Sequence, residues 1–359
     1  MPKIVFLGLL IFAGSWLCGC VADQEDPYAD DEGPQIDWPS SDPNRYHWDG
    51  LQDPYFEGWF FRVTLPEIER SFIFLYGVRN PGAIDAREAE AFLMAGGNDG
   101  LLVHQRFDPD AFQASKQRLD VQINHNRATA TRITGAVRDD ENKASWDLEI
   151  AVDERWTYTM GFLTNIPYLP INWYVGELRA EATGQVTWND RTYQIKQAPF
   201  FQDHNWGSLF PESYAWLQAN NFSNPTDAVA FAGGPIGLLT MGMLVWRHGE
   251  NLYEIRSQDL NNLVTICPDA DQGQVEILFY QGKDLFQVIG RFSSSPLIDM
   301  PAPTLAGFDP YSLMALSGRI EISRYVLQSG LWDLQEHDAS EMAGVEIGGE
   351  YLTDDQASE

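Results

Sequence analysis

Asp203, His204 and Glu57 are the residues whose types and settings suit proton-transfer chemistry. The first two sit in Ala198–Phe222, which reads APFFQDHNWGSLFPESYAWLQANNF. Phe200, Phe201, Trp206, Phe210, Tyr214, Trp216 and Phe222 surround the pair with rings. Burial beside rings disfavours the charged form of a carboxyl group and raises its pKa, which suits an acid. His204 would orient that acid or accept a proton, although as a cation it would lower the Asp203 pKa. Glu57, in the run FEGW, is the second candidate acid. Plainer roles stand beside these. Asp203 would cap a turn before Trp206, Glu57 would sit in a turn or bulge and pair with Arg62, and His47 would be a packed or loop histidine.

The elements that must position these groups read as strands. Gly207 and Pro211 mark a turn, and Tyr214–Asn220 follows as a strand. Alternation puts Tyr214, Trp216, Gln218 and Asn220 on one face and Ala215, Leu217 and Ala219 on the other. The first face is either an aromatic rim or the wall of a pocket for an aromatic, greasy ligand. Upstream, Trp59, Phe61, Val63 and Leu65 alternate with Phe60, Arg62 and Thr64. Pro66 ends that strand, and Ser71–Val78 forms the second arm of a hairpin. Trp59 to Phe74 and Trp216 to Phe231 share one spacing, which hints at a duplicated fold. Short β-like runs continue to Gly344–Ile347. Pro109–Leu119 is the best helical stretch, and the Pro-interrupted Leu163–Trp173 reads as a loop. The expected class is all-β, built of barrels or sandwiches.

The chain has 359 residues, 44% hydrophobic and 13% aromatic, with a net charge of −29. That supplies a core and argues against nucleic acid or anionic lipid as a partner. The six histidines and three cysteines show no metal-ligand spacing, so no metal is expected. P-loop, dinucleotide and G-x-S-x-G fingerprints are absent.

Lys3, the apolar run Ile4–Trp16 and then Leu17-Cys18-Gly19-Cys20 resemble a bacterial lipoprotein signal. Cys20 would carry the lipid, and Val21 after it suggests the outer membrane, facing the periplasm. The expected organisation is a signal over 1–19, an acidic tether over 20–45, barrels over 46–197 and 198–350, and a tail over 351–359.

The blocks YHWDG (46–50), YFEGWFFRVTLPE (55–67), SFIFLYGVRNP (71–81), NWGSLFPESYAWLQANNF (205–222) and AGVEIGGE (343–350) resemble the tocopherol cyclase family, related to carotenoid hydratases. The likeness runs from about Tyr46 to Gly349. It implies two lipocalin-like β-barrel halves, a pocket for a prenylated aromatic or isoprenoid molecule, and no cofactor. Asp203-His204 stands where the family often has Glu-Lys, and Glu350-Tyr351 where it often has Pro-Trp. On the family's pattern, a protonated Asp203 would add a proton to an alkene. Trp59, Tyr76, Trp206, Tyr214 and Trp216 would line the ligand site, and Trp59, Trp206, Tyr214 and Trp216 would stabilise a cation through their ring faces. Gln218 and Asn220 would bind the quinol head. Three functions follow: ring closure of a phytyl quinol to a chromanol, hydration or isomerisation of a polyisoprenoid, or non-catalytic carriage of a hydrophobic molecule in the envelope.

The lipoprotein reading is checked by metabolic labelling with a palmitate analogue. Label is expected on the wild type and absent from Cys20→Ala; label retained by that variant would contradict the assignment.

Overall fold

The run FEGWFFRVTL forms a strand, β1 (Phe56–Leu65), in which every residue is buried. A strand buried on both faces has to be covered twice. One face of β1 closes onto a barrel core, and the other packs against a second sheet. The computed structural model describes residues 42–82, 89–292, 295–303 and 308–352. Cys20 and the acidic tether lie outside the described residues.

The first sheet continues with β2 (Arg70–Arg79), β3 (Glu90–Gly97), β4 (Leu102–Phe107), β5 (Phe112–Ala114), β6 (Asp120–Ile123), β7 (Asn126–Thr129) and β8 (Arg132–Arg138). Three longer strands complete it: β9 (Lys143–Trp156), β10 (Ile171–Trp188) and β11 (Arg191–Gly207). The second sheet opens with β12 (Ser213–Ala219), β13 (Ala228–Ile236), β14 (Leu239–His248), β15 (Asn251–Arg256), β16 (Asn262–Asp269), β17 (Gln274–Gln281) and β18 (Asp284–Arg291). It ends with β19 (Leu297–Pro303), β20 (Phe308–Gln328) and β21 (Leu331–Gly349).

The strand order of the first sheet is β4-β3-β2-β1-β11-β10-β9-β8-β7-β6-β5. The second runs β15-β14-β13-β12-β21-β20-β18-β17-β16, with β19 attached to β20 alone. The two orders follow one plan, because in each sheet the first strand pairs with the last. Phe74 in β2 pairs with Phe61, and Phe231 in β13 pairs with Leu217. The shared aromatic spacing thus falls on equivalent hairpins. The fold is all-β and consists of two lipocalin-like barrel halves.

Two expectations change. Pro109–Leu119 is not helical; only Pro109–Ala111 makes a tight turn, and β5 follows at once. Two capping interactions hold that turn: the Asp108 side chain accepts from the Asp110 N–H, and the Phe112 N–H donates to the Pro109 carbonyl, while the Phe112 ring packs against the barrel core. The boundary placed at 197/198 falls inside β11. The chain passes from one sheet to the other between Gly207 and Ser213.

Each half has its own core. Trp59, Phe61, Phe72, Phe74, Tyr76, Trp146 and Phe200 fill the first. Leu217, Phe231, Trp246, Phe279, Phe286 and Ile347 fill the second. A third cluster, including Phe60, Trp173, Phe201, Tyr214, Trp216, Met300 and Met314, lies between the sheets.

Arg62 is fully enclosed among these groups and ties the sheets together. From β1 it donates to Gln218 Oε1 at 2.5 Å, to the Leu316 carbonyl at 3.1 Å and to the Met342 carbonyl. Burial lowers its pKa to about 9, so it stays charged at neutral pH. Arg62→Ala would strand those acceptors, each at about 1–3 kcal/mol. The variant is expected to lose at least about 3 kcal/mol in urea denaturation; a loss below about 1 kcal/mol would show that the bridge is incidental.

Candidate functional site

Side chains alternate across a strand, so adjacent residues face opposite ways. This rule divides the Asp203-His204 pair. On β11, Asp203 and Asn205 face the second sheet, whereas His204 sits in the ring-rich interior of the first half. On β1 the same division separates Phe56, Gly58 and Phe60 from Glu57, Trp59 and Phe61. On β12 it separates Tyr214 and Trp216 from Ala215 and Leu217. Phe56, Gly58, Phe60, Asp203, Asn205, Tyr214 and Trp216 all line one cleft between the sheets.

The cleft encloses about 1260 Å³ of atom-free space, its open mouth included. Its walls are apolar: Leu75, Phe92, Trp173, Phe210, Met160, Met241, Met243, Met300 and Met314 contribute. Five of the chain's eight methionines lie here. Phe92 can lie across β2 because Gly77 has no side chain; a Cβ there would come within 2.1 Å of its ring.

Two carboxyl groups break the apolar lining. Asp203 is buried, and Trp173 Nε1 and Trp216 Nε1 each donate to its Oδ2 at 2.8 Å. Burial pushes its pKa up to about 7; the two indoles temper the rise, and nearby Glu346 adds to it. An indole only donates, so Oδ2 is the unprotonated oxygen and any proton rides on Oδ1. Glu346 faces Asp203's side of the cleft from β21. Tyr214 donates to its Oε1 at 2.5 Å, and Ser312 donates to the same oxygen. Burial also raises the Glu346 pKa, against the pull of those hydroxyls.

Trp173 and Glu346 were not among the expected site residues. The signal for Glu346 was present in the spacing. Gly344, Glu346 and Gly348 share one face of β21, and a Cβ on either glycine would strike the ring of Trp216 or Tyr214. A lone acid between two glycines at period two marks a strand face cleared for large neighbours.

Several expected site residues lie elsewhere. Glu57 accepts the His47 backbone N–H at 3.0 Å on each oxygen, and the Tyr55 hydroxyl, His47 Nδ1 (3.2 Å) and His204 Nε2 (2.9 Å) also surround it. Burial opposes its charge, but the hydrogen bonds and charges of His204 and His47 outweigh burial and hold it at about 2. At that value it is ionised at neutral pH. It does not pair with Arg62, which lies on the opposite face of β1. Burial pushes His204 down to about 4, against the hydrogen bond and charge of Glu57, which pull it up. The His204 imidazole stacks on Trp59 at 4.5 Å between centroids, and Trp206 stacks on His47 at 3.8 Å. Tyr76 bonds the Thr134 carbonyl inside the first barrel. Gln218 is taken by Arg62, and Asn220 donates to the Phe200 carbonyl at 2.7 Å. None of Glu57, Trp59, Tyr76, His204, Trp206, Gln218 and Asn220 lines the cleft.

Ligand-type atoms also converge at two places that linear spacing does not reveal. His47, Glu57 and His204 form one group, and Asp227, His248 and Asp338 another, each with atoms within 4.8 Å of one another. Neither group lies on the cleft. In the first, hydrogen bonds already occupy both Glu57 oxygens. In the second, Asp227 is engaged by His248 at 2.8 Å and by the Gly249 N–H.

The raised Asp203 pKa has a thermodynamic sign. A carboxyl raised by folding stabilises fully below its unfolded value of 3.8 and loses that contribution as pH climbs through about 7. Asp203→Asn cannot ionise, so wild type should lose stability relative to it between those pH values. The loss is bounded at about 4 kcal/mol. Parallel urea titrations at pH 4, 6 and 8 read this; a constant difference would mean that Asp203 titrates normally.

A model of the tocopherol cyclase-like family matches residues 53–130 and 121–349. A chloroplastic protein of Oryza sativa subsp. japonica, described as a probable tocopherol cyclase, is 26% identical over 243 residues, covering 53% of this chain and 52% of that one. The chloroplastic tocopherol cyclase of Zea mays is 25% identical over 243 residues, covering 53% and 51%. The chain thus spans about half the length of these curated relatives. A crystal structure from Nitrosomonas europaea, described as a candidate AttH, superposes with a TM-score of 0.54 at 13% identity. It covers 89% of this chain and 98% of that one, which shows a shared fold. With the family model spanning most of both barrel halves, including the strands that carry Asp203 and Glu346, the chain belongs to the tocopherol cyclase-like family.

Proposed function

We propose that this protein is an intramolecular cyclase that closes a chromanol ring on a prenylated quinol, with Asp203 as the proton donor. The observation that carries this is a buried carboxyl at about pKa 7, opening on an apolar cleft and held by two indole N–H groups. The family and its chloroplastic cyclase relatives support the same reaction class.

Protonating a trisubstituted alkene needs a neutral acid at working pH. Burial supplies that neutrality. Once the proton leaves, the carboxylate keeps its two indole hydrogen bonds, which stabilise the charged form. The tertiary cation then lies in a cleft lined by Phe60, Trp173, Phe210 and Trp216. Aromatic faces stabilise a cation by about 0.5–2 kcal/mol each. The same walls keep water from capturing it, so that the phenol oxygen attacks instead.

Asp203→Asn keeps shape and removes the transferable proton. Turnover of a phytyl hydroquinone should fall by about 10²–10⁴-fold, while binding, read by tryptophan fluorescence, changes little. Trp216→Ala should weaken binding as well as turnover, since it removes buried surface and one indole donor. Wild-type turnover by Asp203→Asn would overturn the acid assignment. A product heavier by one water would replace the cyclase with a hydratase. Tight binding without turnover by wild type would make the protein a carrier.

A further inference from the structure

We propose that Glu346 is the group that binds the attacking phenol and takes its proton as the ring closes. This rests on the cyclase reading and assigns its second half.

Four observations place Glu346 in that role. Its side chain lines the same cleft as Asp203. It lies on β21, the strand that closes the second sheet, as Asp203 lies on β11, which closes the first. The two acids therefore reach the cleft from opposite walls. Trp216 links them: its indole N–H bonds Asp203, and its backbone is paired with Glu346 across β12 and β21. Finally, the Tyr214 and Ser312 hydroxyls both donate to Oε1 alone. The described residues send no hydrogen bond to Oε2, which is the oxygen left to accept from a ligand. A carboxylate oxygen on the wall of an apolar cleft calls for a donor, and a phenol hydroxyl is such a donor.

The proton balance closes. The Asp203 O–H bond breaks as the alkene carbon gains the proton. The phenol oxygen forms the C–O bond to the tertiary cation, its O–H bond breaks, and the proton passes to Glu346. Substrate and product are isomers. The two acids hold one proton between them before and after, and its return from Glu346 to Asp203 resets the site. Two carboxyls of separated role in one cavity are a familiar acid–base division.

The test compares binding of a phytyl hydroquinone with that of its dimethyl ether, by tryptophan fluorescence, in wild type and Glu346→Gln. Glutamine keeps an acceptor for Tyr214 and Ser312 but carries no charge. Wild type should prefer the free phenol by about 10-fold or more, as expected for a hydrogen bond to a charged group. Glu346→Gln should lose most of that preference, keep its affinity for the ether, and lose about 10²–10⁴-fold in kcat. A preference unchanged in Glu346→Gln would overturn the assignment, as would a preference lost with kcat retained. If wild type binds with the preference but yields no chromanol, the cyclase reading fails and phenol recognition by Glu346 stands. Loss of affinity for the ether as well would show a merely structural role and overturn the assignment. Glu346→Asp should restore the phenol preference in part, because it returns the charge.

Discussion

The contact between the two sheets is held by a charged group that meets no opposite charge among the described residues. Arg62 crosses from the first sheet to the second, and its hydrogen bonds end on amide oxygens. A buried guanidinium is costly to leave without acceptors, so the sheets have to meet in the register that offers oxygens to its two terminal nitrogens. The same choice shapes the cleft. Arg62 shares its face of β1 with Phe56, Gly58 and Phe60, yet no cation figures among the influences on Asp203. Had the guanidinium bonded Asp203, the carboxyl would be ionised and useless as an acid. The interface thus keeps its positive charge and its acid apart: amide oxygens hold the one, and two indoles hold the other.

Parity along the strands sorts the residues of the diagnostic blocks into two populations. In FEGW, Glu57 and Trp59 build the interior of the first barrel, and Phe56 and Gly58 build the cleft. In DHNWG, His204 and Trp206 go inward, and Asp203 and Asn205 go to the cleft. His47, Tyr55 and His204 gather around the one carboxylate of Glu57, with the two imidazoles stacked on Trp206 and Trp59. Such a set fixes the rings and the chain entering β1, and its chemistry is internal. Half of each block therefore maintains the scaffold that the other half uses.

The alternation of WFFRVTL and YAWLQAN was enough to read β1 and β12 and to assign their faces. The same rule, applied one step further, separates Asp203 from His204, because neighbours on a strand cannot share a site. What could not be read was which face met the other sheet, since a strand buried twice shows no polar side. β3 was missed because EAFLMAGG carries small residues and two glycines, which weaken strand propensity. β21 was seen only as its end, Gly344–Ile347. Its first half, LWDLQEHD, is largely exposed and follows no burial pattern. The convergence of Glu346 on Asp203 depends on the pairing of β12 with β21, a contact across more than a hundred residues that local patterning does not encode.

The methionines on the cleft wall bear on how a ligand is chosen. An unbranched thioether has three rotatable bonds and no preferred outline, so it fills whatever gap is left. A wall with Met160, Met241, Met243, Met300 and Met314 adjusts to its occupant and does not impose a contour on it. Discrimination is then divided along the molecule's length. Under the cyclase proposal, a hydrocarbon tail would be accepted on greasiness, with its saturation and branching read loosely. Identity would be checked at the polar end, where two carboxyl groups on opposite walls leave little freedom in where oxygen and reacting carbon sit.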